Sequence, residues 1–165
     1  MNTSDITKLA TERRNPRSRD IDRLTTAEMV SLINSEDKKV ADAGEKVCPQ
    51  IAAAIDLIYA RMKRGGRLIY CGCGTSGRLG ILDASECTPT YSVSPETVQA
   101  VIAGGNNAVF NAVEGAEDSA ELGAEDMRRL ALTENDTLVG IAASGRTPYV
   151  LGAMKAAHAA GAGLI

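Results

Sequence analysis

The chain has 165 residues, enough for one domain with a proper core, and its 44% hydrophobic and 24% charged content is that of a globular protein. A formal charge of −3 and a pI near 5.2 exclude the basic field needed to hold nucleic acid or an anionic membrane, so any phosphate must be gripped locally. No apolar run reaches the roughly 18–20 residues of a membrane span, and the polar, mixed-charge opening is unlike a signal peptide.

Met1 to about Leu24 reads as a polar, extended or loosely ordered arm. Thr25-Thr26-Ala27-Glu28 fits a capping box opening a helix that carries Met29, Leu32 and Ile33 on one face. A second amphipathic segment places Val47, Ile51, Ala54, Ile55, Ile58 and Met62 at helical spacing, with Pro49 starting or kinking it and Gly65-Gly66 ending it. The period then changes. Arg67 to Cys71 is a short apolar strand running into Gly72-Cys73-Gly74-Thr75-Ser76-Gly77, and a helix follows through Leu79, Ile81 and Leu82.

A Pro-containing loop is expected from Cys87 to Pro95, then a strand from Thr97 to Ala103 ending at Gly104-Gly105. Helical stretches are predicted over 108–113 and 119–130, a turn over 133–136 and a third strand over 137–143. Ser144-Gly145-Arg146-Thr147-Pro148 turns into a helix capped by Thr147, with Pro148 at its first position, and Gly161 closes it. Gly163-Leu164-Ile165 opens a fourth strand.

Strands alternating with helices imply an α/β fold with a parallel sheet, right-handed crossovers and helices on both faces. Residues 1–65 are predicted as an amino-terminal arm and helices, and residues 66–165 as a sheet domain that breaks off after its third βα unit. A sheet cut in mid-strand leaves an edge uncovered, so the chain is expected to be part of a longer protein.

Three patterns carry chemistry. Gly72-x-Gly74-x-x-Gly77, between strand and helix, converges backbone N–H groups on a helix start, where an anion binds. The dinucleotide version of this turn needs an acidic residue at the tip of the second strand, and that tip is Ala103-Gly104-Gly105-Asn106. Thr75 and Ser76 add hydroxyl donors that suit a terminal phosphate; a merely tight structural turn is the other reading. Ser144-Gly145-Arg146-Thr147 repeats the logic after the third strand, and Arg78 and Arg146 are candidate helpers.

The third pattern is a set of carboxylates: Asp83 and Glu86, then Glu114 and Glu117. Paired acids serve as general acid and base when their environments separate their pKa values, but spacing does not select among these. His158 stands alone among alanines, and Cys48, Cys71, Cys73 and Cys87 have no zinc spacing, so no metal and no other cofactor is expected. The cysteines read as reduced thiols of the cytoplasm.

The run GCGTSGRLGILDASECTPTY from Gly72, IAGGNNAVFNAVEGAEDS from Ile102, GIAASGRTPYV from Gly140 and TERRNPRSRDID from Thr11 closely resemble the N-acetylmuramic acid 6-phosphate etherases. The wider group is the sugar isomerase (SIS) superfamily, which includes phosphosugar isomerases and the glucokinase regulatory protein.

The resemblance implies a flavodoxin-like three-layer α/β domain and a cytoplasmic, dimeric, metal-independent enzyme. Its reaction is loss of D-lactate from N-acetylmuramic acid 6-phosphate by elimination, then hydration to N-acetylglucosamine 6-phosphate, in cell-wall amino-sugar recycling. By motif match, the acid/base glutamates fall on Glu86 and Glu117, and the phosphate contacts on Thr75, Ser76, Ser144 and Thr147. A non-catalytic phosphosugar-binding regulator and an aldose–ketose phosphosugar isomerase are the alternatives. Members run to about twice this length, and Cys71 and Cys73 replace small or aliphatic residues. Were residues 76–86 one helix, Glu86 would lie roughly 15 Å from the phosphate end and would suit a partner subunit's site.

Overall fold

A computed structural model describes residues 10–165. It divides into two compact units, the second running Ala54–Ile165.

In the first unit, three single 3-10 turns (Ala10–Glu12, Pro16–Ser18 and Ile21–Arg23) replace the extended arm expected there. Local caps explain the difference: Asn15 accepts from the Arg17 amide at 3.0 Å, and Arg17 reaches the Glu36 carboxylate and the Ser35 hydroxyl. The stretch before residue 10 lies outside the described residues. Helix α1 (Thr26–Glu45) opens on the expected capping box: Glu28 N–H donates to Thr25 Oγ1 at 3.4 Å, and Thr25 N–H to Glu28 Oε2 at 2.8 Å. Helix α2 (Cys48–Met62) has Pro49 in its first turn, so the proline starts the helix and does not kink it. The unit boundary falls within α2.

The second unit is built on four parallel strands: β1 (Leu68–Gly72), β2 (Val98–Ile102), β3 (Thr137–Ile141) and β4 (Gly163–Leu164), in the order β2-β1-β3-β4. Gly72 stands level with Ile102 on one side and Ile141 on the other. The chain leaves β1 toward β2 and then returns to the far side of β1 for β3. That reversal puts helix α3 (Gly74–Tyr91) on one face of the sheet and helices α5 (Ala120–Arg129) and α6 (Pro148–Ala159) on the other. A four-residue helix, α4 (Asn107–Phe110), follows β2.

The faces are sealed by close backbone approach. A Cβ on Gly80 of α3 would sit 2.7 Å from Tyr70 Cβ, so only glycine lets α3 lie this near β1. On the other face α5 and α6 touch backbone to backbone: a Cβ on Gly123 would meet the Tyr149 carbonyl at 2.0 Å, and one on Gly152 the Ala120 carbonyl at 1.9 Å. The core there holds Ile69, Cys71, Met127, Leu138, Tyr149, Val150, Ala153 and Ala157. Tyr149 is wholly buried and its hydroxyl donates to Asp126 at 2.5 Å. The amino-terminal end of the sheet is tied by Arg61 and Arg67, which bond carbonyls and a carboxylate of the Leu130–Asp136 turn.

Three expected boundaries move. Helix α3 continues through Cys87 to Tyr91, where a loop was expected, with Pro89 inside its last turn. A proline there removes only one late intrahelical bond, and Ser92, in a left-handed conformation, closes the helix through its amide on Thr88 O at 2.9 Å. The helix expected over 108–113 is only Asn107–Phe110, followed by a 3-10 turn at Ala116–Asp118. Strand β3 stops at Ile141, two residues before the predicted end, because Ala142 already enters the turn. Among the described residues no helix is long and apolar enough to cross a membrane.

Candidate functional site

Parallel neighbours carry their following turns to the same edge of the sheet. Gly72 and Ile141 form the last β1–β3 rung, so Cys73–Ser76 and Ala142–Thr147 leave the sheet side by side. The order β2-β1-β3-β4 reverses between these two strands, and at such a switch point an open α/β sheet forms a crevice beyond its carboxyl ends.

The glycines of the first turn have separate reasons. Gly74 adopts φ +52°, a conformation side chains rarely take. Gly72 and Gly77 exclude side chains from each other's backbone: a Cβ on Gly72 would lie 2.7 Å from Gly77 N, and one on Gly77 2.8 Å from Gly72 O. That contact draws the amino-terminus of α3 onto the tip of β1. Thr75 and Ser76 occupy the first turn of α3, where backbone N–H groups have no intrahelical partner.

In the second turn, Gly145 has φ +64°, and Ser144 Oγ accepts from the Arg146 amide at 3.2 Å. Thr147 occupies the cap position of α6 with Pro148 behind it, as expected, but its hydroxyl makes no cap hydrogen bond. Ser144 and Arg146 are exposed and Thr147 half-buried.

Next to the first turn lies a cavity of about 180 Å³, lined by Cys73, Gly74, Arg78, Ala103, Ala108 and the segment from Asn111 to Glu117. Both Glu114 and Glu117 border it, Glu114 just before Gly115 at φ +74° and Glu117 in the 3-10 turn that follows. The Cys73 thiol is pushed up to about 11, first by burial and then by the neighbouring Glu117 carboxylate. The buried Cys71 thiol rises to about 12, chiefly by burial. Neither is a nucleophile at neutral pH.

Glu86 stands apart. It is exposed on the far part of α3 and does not border the cavity that Glu114 and Glu117 share. Ser76 and Glu86 do belong to one unbroken helix, so roughly 15 Å of rise separates them. Asp83, the other acid of that stretch, accepts a hydrogen bond from the Tyr70 hydroxyl at 2.7 Å. Burial, and then Asp83, raises the Tyr70 pKa above the ordinary phenol range. Arg78 directs Nε to Val109 O at 2.7 Å and Nη2 to Ala108 O at 2.8 Å, and borders the cavity beside Cys73 and Gly74. His158 is exposed in the last turn of α6. Among the described residues no group of three or more His, Cys, Asp or Glu is placed to hold a metal ion.

Three contacts were not legible in the sequence: Tyr70 on Asp83, Cys73 beside Glu117, and Arg78 on α4. Tyr70 alternates with buried neighbours on β1, and Cys73 is the unspecified position between Gly72 and Gly74. Nothing local marks either as facing a carboxylate.

Comparison with known proteins bears on this arrangement. Residues 50–158 match the family model of the glucokinase regulatory protein N-terminal SIS domain. The chain is 59% identical over 162 residues to an N-acetylmuramic acid 6-phosphate etherase of Clostridium beijerinckii, covering 98% of this chain and 53% of that protein. It is 59% identical over 160 residues to the etherase of Aeromonas hydrophila (97% and 54%), and 60% identical over 158 residues to that of Aliivibrio fischeri (96% and 53%). The chain thus spans about half the length of the curated relatives it matches. The structure of phosphoheptose isomerase from Neisseria gonorrhoeae superposes with a TM-score of 0.67 at 24% identity, over 85% of this chain and 73% of that one, which shows a common fold. The chain therefore belongs to the SIS-domain family represented by the amino-terminal domain of the glucokinase regulatory protein, and it is similar along nearly its whole length to N-acetylmuramic acid 6-phosphate etherases.

Proposed function

We propose that this chain supplies the phosphosugar-binding half of a lyase that cleaves the D-lactyl ether of N-acetylmuramic acid 6-phosphate. The products are N-acetylglucosamine 6-phosphate and D-lactate. The observation that carries the reading is the pairing of two hydroxyl-bearing turns, at Thr75-Ser76 and at Ser144 to Thr147, on adjacent strands of reversed order beside a cavity bordered by glutamates.

In this reading Thr75, Ser76, Ser144 and Thr147, with the free amides of α3, hold the phosphate. The proton next to the open-chain aldehyde is taken by one carboxylate and lactate leaves with a proton from another; water then adds to the double bond. Glu117, beside the phosphate turn, is one of the pair. Glu86, too far along α3 to serve the same subunit's crevice, is the other and acts across a homodimer. Carboxylates perform both transfers without metal. Residues 66–165 form the phosphosugar-binding part and residues 1–65 an amino-terminal arm and helices, in a protein of the cytoplasm engaged in amino-sugar recycling.

The test is D-lactate release from N-acetylmuramic acid 6-phosphate. The chain itself is assayed alongside a chimera in which it replaces the matching half of the Clostridium beijerinckii etherase. Lactate release by the chimera is the expected result. Binding of the sugar phosphate with no lactate released would favour the regulator reading, and an aldose–ketose exchange would favour an isomerase.

A further inference from the structure

Arg78 lies in the second turn of α3, one turn after Thr75 and Ser76, and its guanidinium is turned inward. Two of its nitrogens are committed: Nε donates to Val109 O at 2.7 Å and Nη2 to Ala108 O at 2.8 Å, both bonds half-buried. These acceptors belong to α4, whose four residues leave their carbonyls largely without intrahelical partners. A planar fork that meets two successive carbonyls is something arginine provides and lysine does not.

What those carbonyls lead into is the wall of the cavity. From Asn111 the chain runs exposed to Gly115 before Ala116 re-enters the core, and Glu117 follows. Its other ties lie at its two ends: the Asn111 amide and side chain both return to Asn107 at 3.0 Å, Val113 packs over Gly104, and Ala116 is anchored in the core beside α6. Among the described residues the hydrogen bonds from α3 to this segment both come from Arg78. The helix that carries Thr75 and Ser76 is thereby bonded to α4, which leads through residues 111–115 to the turn that presents Glu117, around a cavity that Arg78 itself lines.

We infer that Arg78 is a positioning residue, setting the distance between the phosphate turn and Glu117, and is not a phosphate ligand. The inference rests on the etherase reading for its chemical consequence, because only there does Glu117 move a proton. An ångström of misplacement at a reacting group costs about a hundredfold in rate, whereas the phosphate contacts are on other side chains.

Two measurements on Arg78→Gln and Arg78→Lys decide it. In this chain, hydrogen exchange is followed at the hydrogen-bonded amides of Ala108, Val109, Asn111 and Asp118. In Arg78→Gln they exchange at least tenfold faster while β1 and α6 keep their protection, and Arg78→Lys falls between. Unchanged exchange at these amides, or a rise spread over the whole unit, overturns the clamp. In the chimera, kcat falls about 10–100-fold in Arg78→Gln with KM for N-acetylmuramic acid 6-phosphate within about twofold, and Arg78→Lys recovers part of it. A raised KM with kcat kept would make Arg78 a phosphate ligand and overturn the assignment. If the unmodified chimera releases no lactate, the etherase reading fails by itself, and the exchange data still decide whether the clamp exists.

Discussion

Arg67 holds Asp136 with both arms of its guanidinium, Nε to Oδ1 at 3.0 Å and Nη2 to Oδ2 at 2.8 Å, while its own backbone N–H donates to Oδ1 at 2.8 Å. The Thr133 amide adds a fourth bond, to Oδ2, at 2.8 Å. This pair joins the residue before β1 to the residue before β3, the two strands whose last rung, Gly72 with Ile141, precedes the two hydroxyl-bearing turns.

Asp136 makes stability depend on pH in a defined window. Burial alone would raise its pKa, but the Arg67 side chain, the Thr133 and Arg67 amides and the Arg67 charge outweigh this and hold it at about 2, against an ordinary 3.8. A carboxylate depressed in the folded state contributes its stability fully above its unfolded pKa and loses it as pH falls through the folded one. Stability on the order of 2 kcal/mol should therefore drain away between about pH 4 and pH 2. Asp136→Asn, which leaves Arg67 facing no charge, should cost about 3 kcal/mol at pH 7 and flatten that part of the curve. Urea unfolding against pH reads both; an equal acid slope in wild type and variant would refute the assignment.

The backbone contact between α5 and α6 predicts a steep cost for one methyl group. Gly123→Ala places its Cβ 2.0 Å from the Tyr149 carbonyl, so the helices must separate, losing about 2–3 kcal/mol. Gly44→Ala, in α1 with open space around it, is the control and should not destabilise. Thermal unfolding of the two variants should differ clearly; similar midpoints would mean α5 and α6 do not pack this closely.

Thiol labelling should follow burial. Cys48 is exposed and should react first with a disulfide reagent near pH 8. Cys73, half-buried and raised to about 11, should lag, and the wholly buried Cys71, raised to about 12, should react only on unfolding. Mass mapping of the labelled peptides gives the order. Early modification of Cys71 would contradict its place in the core.

Phosphate binding tests the paired turns. Ser76→Ala and Ser144→Ala should each lower affinity for N-acetylglucosamine 6-phosphate by about 10–100-fold, since a hydrogen bond to a charged group is worth about 1.5–3 kcal/mol. The unfolding midpoint should hardly move. Calorimetric titration showing unaltered affinity would remove these hydroxyls from the site.

For the glutamates, Glu117→Gln and Glu86→Gln in the chimera should each lower lactate release by about 10²–10⁴-fold. Mixing Glu86→Gln chains with chains carrying Ser76→Ala and Ser144→Ala should restore part of the rate, because one kind of subunit then supplies the turn and the other Glu86. No recovery in mixed dimers would refute a shared site.

Local chemistry is legible from the chain alone. The capping box at Thr25 and Glu28, the glycines from Gly72 to Gly77, Pro148 at a helix start and the alternation of strand and helix all act over a few residues, and each is found where expected. Even the long reach from Ser76 to Glu86 follows from helical rise once α3 is known to be continuous. Boundaries were less legible where a local signal was ambiguous, as at Pro89, which falls in the last turn of α3 and there removes only one late intrahelical bond.

Only the tertiary structure decided strand order, and with it which turns become neighbours. Hydrogen bonding between parallel strands is blind to sequence separation, so nothing in residues 68–72 announces that 137–141 will lie beside them. The same reason hid the partners of Tyr70, Arg67 and Arg78: a donor's chemistry is written in its residue type, but its acceptor is chosen by the fold, 13, 69 and about 30 residues away.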